Sequence, residues 1–166
     1  MGAPAGYPGP MDLQIDWDAH EKRVLHELSA LSYLVGGWAG EGVSHGAPVT
    51  GRLQVRAILG GTFVEAREVL FDADGRVDHE DLCVYRWDAE DGALRVTQYL
   101  SPGWVENHIV EPLPTGGVRW VTGPLGPRVE FSAPAPDTLL IRVWLPQEAE
   151  PAHVVRYTRL RTEPPA

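Results

Sequence analysis

The step Gly36-Gly37-Trp38 separates an amphipathic helical pattern from a long series of short alternating segments. Glycine leaves the backbone free to bend, so a Gly-x-Trp step at the start of a first strand lets the indole fill one end of a small barrel. This feature constrains the fold more than the chemistry. It predicts a hollow barrel that encloses a small molecule, and it does not identify the molecule.

The residues before this step predict one helix over 18–34. Apolar side chains recur there at three- and four-residue steps, namely at Val24, Leu25, Leu28, Leu31 and Leu34. Asp16 or Asp18 can cap the start of the helix, and Gly36 can end it. Residues 1–15 lack the pattern of a signal peptide and are interpreted as a flexible lead. We therefore expect a single domain over 16–163.

The residues after the step predict an all-β fold. Glycine, proline, asparagine and aspartate divide them at intervals of about ten residues, which gives segments at about 37–45, 50–59, 62–71, 79–88, 93–101, 104–112, 117–123, 127–132, 138–145 and 152–162. Connections this short favour antiparallel pairing of neighbours, and closure removes exposed sheet edges. The expected architecture is a closed, up-and-down antiparallel barrel of about ten strands with one N-terminal helix.

Composition narrows the classes of partner. The 166 residues contain 14 Lys and Arg against 23 Asp and Glu, a net charge of −9, so binding to nucleic acid is not expected. No stretch approaches the roughly 18 apolar residues that span a bilayer, so a membrane partner is not expected either. The single cysteine, Cys83, cannot form an internal disulfide, which favours a reducing, cytoplasmic location.

Three parts of the sequence resemble the nitrobindin-like families of the calycin superfamily. They are residues 31–42, residues 58–65 and the closing run Val155-Arg156-Tyr157-Thr158-Arg159-Leu160-Arg161. The resemblance implies a ten-stranded barrel like that of fatty-acid-binding proteins, with an internal apolar cavity. It also implies that Arg159 or Arg161 packs on Trp38. Because such relatives often pair through barrel faces, it implies a homodimer as well.

Nitrobindins bind haem through a histidine of the last strand, and here the sequence departs from the pattern. The ligand position falls on Val155, and the nearest histidine is His153. A shift of two residues keeps the same strand face but moves the side chain by about 6–7 Å. Haem ligation by His153 therefore requires a register shift or a bulge, and no cofactor is the first expectation.

The segment at 104–112 carries a candidate acid/base pair. Trp104, Glu106 and His108 share one strand face, and burial would bring the pKa values of the carboxyl and the imidazole toward neutrality. The alternation does not say whether this face points inward or outward. Tyr99 lies across the preceding turn, where it can orient a ligand by one hydrogen bond or simply pack.

The segment at 62–71 has charges on both faces. Glu65 and Arg67 lie on one face and Glu68 on the other, so either inward face must bury an ionisable group, which favours a polar site in the cavity. Glu68 is thus a further acid/base candidate.

The closing strands supply candidates for anion binding. Arg142, between Leu140 and Trp144 on its own face, is the stronger inward candidate, and Arg156 is the other. Both are also compatible with a surface position. Six tryptophans, Trp120 and Trp144 among them, suggest an aromatic cavity wall.

A metal site receives little support from the sequence. His79, Asp81 and Cys83 share one side of a strand, but the run His79-Glu80-Asp81 is too compact for a site made by adjacent residues.

Complete catalytic motifs are also missing from the sequence. The leading hypothesis is therefore binding of a hydrophobic or amphipathic small molecule in the cavity. The alternatives are an enzyme (a cyclase, isomerase or dehydratase of a secondary metabolite) and haem binding.

Overall fold

A computed structural model describes residues 16–123 and 126–161 of the chain. The lead predicted for 1–15 and the domain boundary at 163 lie outside the described residues. An α-helix, α1 (Trp17–Leu28), continues as a 3-10 helix (Ser29–Leu34). The strands that follow are β1 (Gly36–Ser44), β2 (Ala47–Ile58), β3 (Phe63–Phe71), β4 (Val77–Asp88), β5 (Ala93–Leu100), β6 (Trp104–Pro112), β7 (Val118–Val121), β8 (Arg128–Ala135), β9 (Thr138–Trp144) and β10 (His153–Arg159).

The ten strands form one closed antiparallel barrel. Each strand pairs with its neighbours in the chain, and β1 pairs with β10 to close the sheet, with Trp38 opposite Arg159. The fold predicted from the sequence is confirmed, including the number of strands and the position of the helix.

The helical segment differs in detail from the single helix expected over 18–34. Asp16 caps α1 by accepting a hydrogen bond from the amide of Ala19 at 3.0 Å. From Ser29 the helix tightens to 3-10 geometry, whose three-residue repeat keeps successive leucines in line along one side. The buried side chains of the segment are Val24, Leu28, Leu31 and Leu34, whereas Leu25 is 40% exposed.

Trp38 closes the end of the barrel that faces the helix. Its side chain is 1% exposed, and its Nε1 donates to the carbonyl of Leu34 at 2.8 Å. The guanidinium of Arg159 lies 4.1 Å from the centre of the indole ring and donates to the carbonyls of Tyr33 and Val35. Of the two arginines considered from the sequence, Arg159 thus covers the plug.

The helix also packs across this end of the barrel. The hydroxyl of Tyr33 donates to the carbonyl of Phe131 at 3.4 Å, and the guanidinium of Arg23 lies 5.3 Å from the ring centre of Trp87.

No helix among the described residues has the length and apolar character needed to cross a membrane. The opposite end, with the β1–β2 and β3–β4 turns, lies away from the helix and forms the mouth of the barrel.

Candidate functional site

The half of the barrel nearer the mouth encloses a cavity of about 230 Å³. Most of its wall is apolar. The side chains that form this part are Leu53, Ala66, Leu70, Tyr85, Leu100, Trp104, Trp120, Pro127, Val129, Phe131, Ile141, Val143, Leu145 and Val155. Trp104 stands at the mouth and is 69% exposed, whereas Trp120 is buried deeper in the lumen.

Polar side chains concentrate on the wall formed by β3 and β4. Glu68 of β3 lies opposite Asp81 of β4, and His79 precedes Asp81 on the same inner face. One donor atom from each of the three lies within 4.8 Å of the others. His79 Nε2 is 3.8 Å from Asp81 Oδ2. This trio is called the acidic wall below.

Side chains from two other strands, β5 and β10, hold the carboxylates of the acidic wall. Gln98 Nε2 donates to Asp81 Oδ2 at 2.5 Å, and the hydroxyl of Tyr157 donates to Glu68 Oε1 at 2.5 Å. The ring of Tyr157 lies against Gly40 of β1, where an added Cβ would come within 2.6 Å of it. Glycine at position 40 therefore makes room for the ring that carries this hydroxyl to Glu68.

Burial and mutual repulsion set the protonation of the acidic wall. Burial, together with the negative charge of Asp81, raises the pKa of Glu68 to about 7. The hydrogen bond and charge of Asp81 raise the pKa of His79, against the opposing effect of burial. Near neutral pH, Glu68 thus exists in both protonation states, a property often found at functional sites.

Two buried polar atoms of the cavity wall lack hydrogen-bond partners among the described residues. They are the hydroxyl of Tyr85 and Nε1 of Trp120, in side chains that are 0% and 3% exposed. Their ring centres are 6.3 Å apart, and burial raises the pKa of the Tyr85 hydroxyl, although the nearby indole N–H of Trp120 has a smaller, opposing effect. Because buried polar groups are nearly always paired, this part of the wall is suited to a bonding partner inside the cavity.

The predicted pair Glu106 and His108 is on the inner face of β6. Glu106 lines the cavity near the mouth, but His108 is 1% exposed and lies behind the cavity wall, stacked on Trp120 with ring centres 5.1 Å apart. His108 Nε2 is 3.4 Å from Glu106 Oε2, and burial lowers the pKa of His108. His108 therefore contacts Glu106 without itself reaching the lumen.

His153 lines the cavity at the mouth. Its ring packs edge-on against His45 with centres 4.4 Å apart, and burial lowers the pKa of His153 to about 4. An imidazole kept neutral in this way is able to ligate iron. The cavity of about 230 Å³, however, falls below the ~300–1,000 Å³ typical of sites for drug-sized ligands. As these side chains stand, they do not enclose a porphyrin.

The two arginines predicted for anion binding do not reach the lumen. Arg142 lies opposite Glu130 of β8 on the outer face, with its Nη1 3.9 Å from Glu130 Oε2, and Arg156 is exposed on the outside of β10. Trp144 also faces outward, under the guanidinium of Arg128 at 3.8 Å. The predicted inward position was wrong because β9 has large apolar residues on both faces, and alternation does not distinguish them.

Three other candidates also lie on the outer surface. Glu65 forms an ion pair with Arg56, and Arg67 forms one with Glu80. Tyr99 is 45% exposed because it lies opposite Val105, so it shares the outer face of that residue and not the inner face of Trp104. Of the candidates named from the sequence, the cavity wall includes Glu68, Trp104, Glu106, Trp120 and His153.

The acidic wall was only partly visible in the sequence. Glu68 was singled out, and His79 and Asp81 were recognised as sharing a face, but nothing showed that Glu68 lies beside them across two strands. Tyr85, Gln98 and Tyr157 were missed as site residues. The signal available for Tyr85 was the two-residue step that continues from His79, Asp81 and Cys83.

No family model matches the chain, and no curated protein matches it either. Among solved structures, the chain is similar to a de novo designed fluorescence-activating β-barrel, with a TM-score of 0.45 and 16% identity over 79% of this chain and 97% of the designed one. Membership of the calycin superfamily stays a prediction.

Proposed function

We propose that the protein reversibly binds a small, largely apolar molecule that carries one hydrogen-bond acceptor such as a carbonyl oxygen. The observation that carries this proposal is the pair of unpartnered buried groups, the Tyr85 hydroxyl and Trp120 Nε1, on the wall of an otherwise apolar cavity. Indole nitrogen only donates hydrogen bonds, and the phenol donates as well as accepts. A ligand acceptor at this position pairs a group that is otherwise left unsatisfied.

In the metal-free protein, the charges around the lumen disfavour a ligand carboxylate such as that of a fatty acid. Glu68, Asp81 and Glu106 line the cavity, and among its described lining residues there is no lysine or arginine. A buried ligand carboxylate would face these three groups with only the imidazole of His79 as a nearby cation, which is costly. The ligand class is therefore neutral in the part that enters the cavity.

A matched pair of ligands tests the proposal. We expect 2-acetylnaphthalene to bind more tightly than 2-ethylnaphthalene in isothermal titration calorimetry, because the ketone supplies the acceptor and the hydrocarbon has nearly the same shape. One neutral hydrogen bond of about 1 kcal/mol corresponds to roughly a fivefold difference in Kd. The titrations are made in the presence of EDTA, so that metal ions do not contribute.

Two sets of variants distinguish the acceptor site from the cavity as a whole. Tyr85→Phe and Trp120→Phe should each reduce the preference for the ketone, whereas Tyr33→Phe, at the helix end, should leave it unchanged. Ala66→Phe should fill the lumen and abolish binding of both compounds, and Ala39→Phe on the outer face is its control. Equal affinities for the two compounds in the unaltered protein would contradict the proposed acceptor site.

The contact between Glu106 and His108 favours a second candidate, an enzyme that uses the cavity as a reaction chamber. Glu106 faces the lumen, and the imidazole behind it lies 3.4 Å from its carboxylate. Such an arrangement allows Glu106 to transfer a proton to or from an enclosed substrate. Glu106→Gln should then abolish turnover of a substrate while retaining its binding, and unchanged turnover in this variant would exclude the role.

A further inference from the structure

The acidic wall has the arrangement of a metal-binding site. Its donors are the carboxylates of Glu68 and Asp81 and the imidazole of His79, and one atom from each lies within 4.8 Å of the other two. Two adjacent strands supply them, since Glu68 lies opposite Asp81 and His79 shares the inner face of β4. Strand pairing therefore fixes the relative positions of the three side chains.

The carboxylates are oriented before any ion arrives. Gln98 holds Asp81 through Oδ2, and Tyr157 holds Glu68 through Oε1, so each side chain accepts a hydrogen bond from a donor on another strand. Hydrogen bonds of this kind orient ligand groups around metals, and they are a regular part of such sites.

The negative charge of the acidic wall also favours a bound cation. Asp81 is 7% exposed, Glu68 faces it from the next strand, and no lysine or arginine occurs among the described residues that line the cavity. His79 can compensate at most one of the two carboxylates. Two buried like charges this close are unfavourable unless Glu68 takes up a proton or a further positive charge lies between them.

We propose that Glu68, His79 and Asp81 bind one divalent transition-metal ion, with Zn²⁺ as the best match. One nitrogen and two oxygen donors suit zinc, whereas Ca²⁺ and Mg²⁺ require about six or more oxygen ligands. Three protein ligands leave a fourth position, and here that position faces the cavity. A molecule held in the lumen can therefore bind the ion directly.

Titration of the metal-free protein with ZnCl₂ alone tests this site. We expect one ion per chain in isothermal titration calorimetry, and His79→Ala and Glu68→Gln should each weaken binding at least tenfold. Asp81→Asn should do the same while it still accepts from Gln98. His45→Ala and Glu80→Gln are the controls, since one is a neighbouring histidine at the mouth and the other an outer-face carboxylate on the same strand, and both should bind as the unaltered protein does.

The orienting residue provides an independent measurement. Gln98→Met retains the size of the side chain but not its donor, and we expect it to weaken Zn²⁺ binding by about tenfold. Circular dichroism of each variant establishes that the barrel is folded. Co²⁺ in place of Zn²⁺ should give visible absorption bands that change when a carbonyl ligand enters the cavity.

Two results would overturn the site. One is the absence of Zn²⁺ binding in the folded, unaltered protein, and the other is binding that His79→Ala and Glu68→Gln leave unchanged, which would assign the ion to other residues. Because binding of the ketone is measured in EDTA and that of Zn²⁺ without organic ligand, failure of one proposal does not affect the other.

Discussion

The helix-capped end of the barrel and the mouth are built from the same strands but differ in how tightly their interiors are packed. Along the inner face of β6, exposure falls from 69% at Trp104 to 1% at His108 and 5% at Val110. The capped end is filled by Trp38 and the leucines of the helix, whereas the mouth half contains the cavity and the acidic wall. Stability is therefore concentrated at one end of each strand, which frees the other end to carry buried polar groups.

The largest expected effect comes from the plug. Trp38→Ala should lower the free energy of unfolding by about 3–5 kcal/mol, because it leaves a large hole and removes the surface on which Arg159 packs. Urea denaturation measures this loss. A change of less than about 1 kcal/mol would show that the capped end is not the main source of stability.

Two buried valines, one in the packed half and one beside the cavity, allow the two halves of the barrel to be compared directly. Val96 is 0% exposed in the packed half, and Val155 is 2% exposed but borders the cavity. Val96→Ala should cost about 2 kcal/mol, and Val155→Ala about 1 kcal/mol less, because one side of Val155 already faces empty space. The two unfolding free energies are compared under identical conditions, and equal losses would argue against a real cavity beside Val155.

The boundary between the halves should respond to pH through His108. Burial lowers the pKa of His108 in the folded protein, although the charge of Glu106 opposes this. Unfolded chains take up the proton below about pH 6.5, so the contribution of the neutral imidazole is present above that pH and is lost as the pH falls.

His108→Leu should remove this dependence. Between pH 8 and pH 5.5, we expect the unaltered protein to lose about 1 kcal/mol more of its unfolding free energy than the variant. Denaturant titrations at the two pH values measure the difference. An identical pH response in the two proteins would mean that His108 is already charged or solvated in the folded state.

The smallest effect is expected at the mouth. Trp104→Ala should change the free energy of unfolding by less than about 0.5 kcal/mol, because the side chain is 69% exposed and most of its surface is already in water. The same variant should weaken binding of the ketone, since Trp104 lines the entrance. A large loss of stability would show that the mouth contributes as much to the free energy of unfolding as the capped end does.

The fold was readable from the sequence because its signals are local. Turn residues and alternation predict the ten strands, and the short connections between them predict the order of pairing. The sequence indicated which face of a strand points inward only where one face is polar and the other is apolar. In β2, Arg52, Gln54 and Arg56 mark the outside, but in β9 both faces are apolar, so Arg142 and Trp144 were placed on the wrong side.

The acidic wall depends on the register and pairing of strands, which the sequence does not give directly. The register of β3 against β4 places Glu68 opposite Asp81, and the closing strand brings Tyr157 to Glu68. Each residue alone has an ordinary explanation as a solvated or packing side chain. Their combination becomes visible only when strands distant in the chain are placed side by side.

The seam between β1 and β10 also determines when the cavity can form. These strands come from opposite ends of the described chain, so their pairing is the most costly loop closure in the barrel. Both His153, which lines the lumen, and Tyr157, which donates a hydrogen bond to Glu68, belong to β10 and take these positions only through this pairing. A ligand of the lumen therefore recognises only the completed ring of strands, and its binding energy favours that ring over every partly assembled sheet.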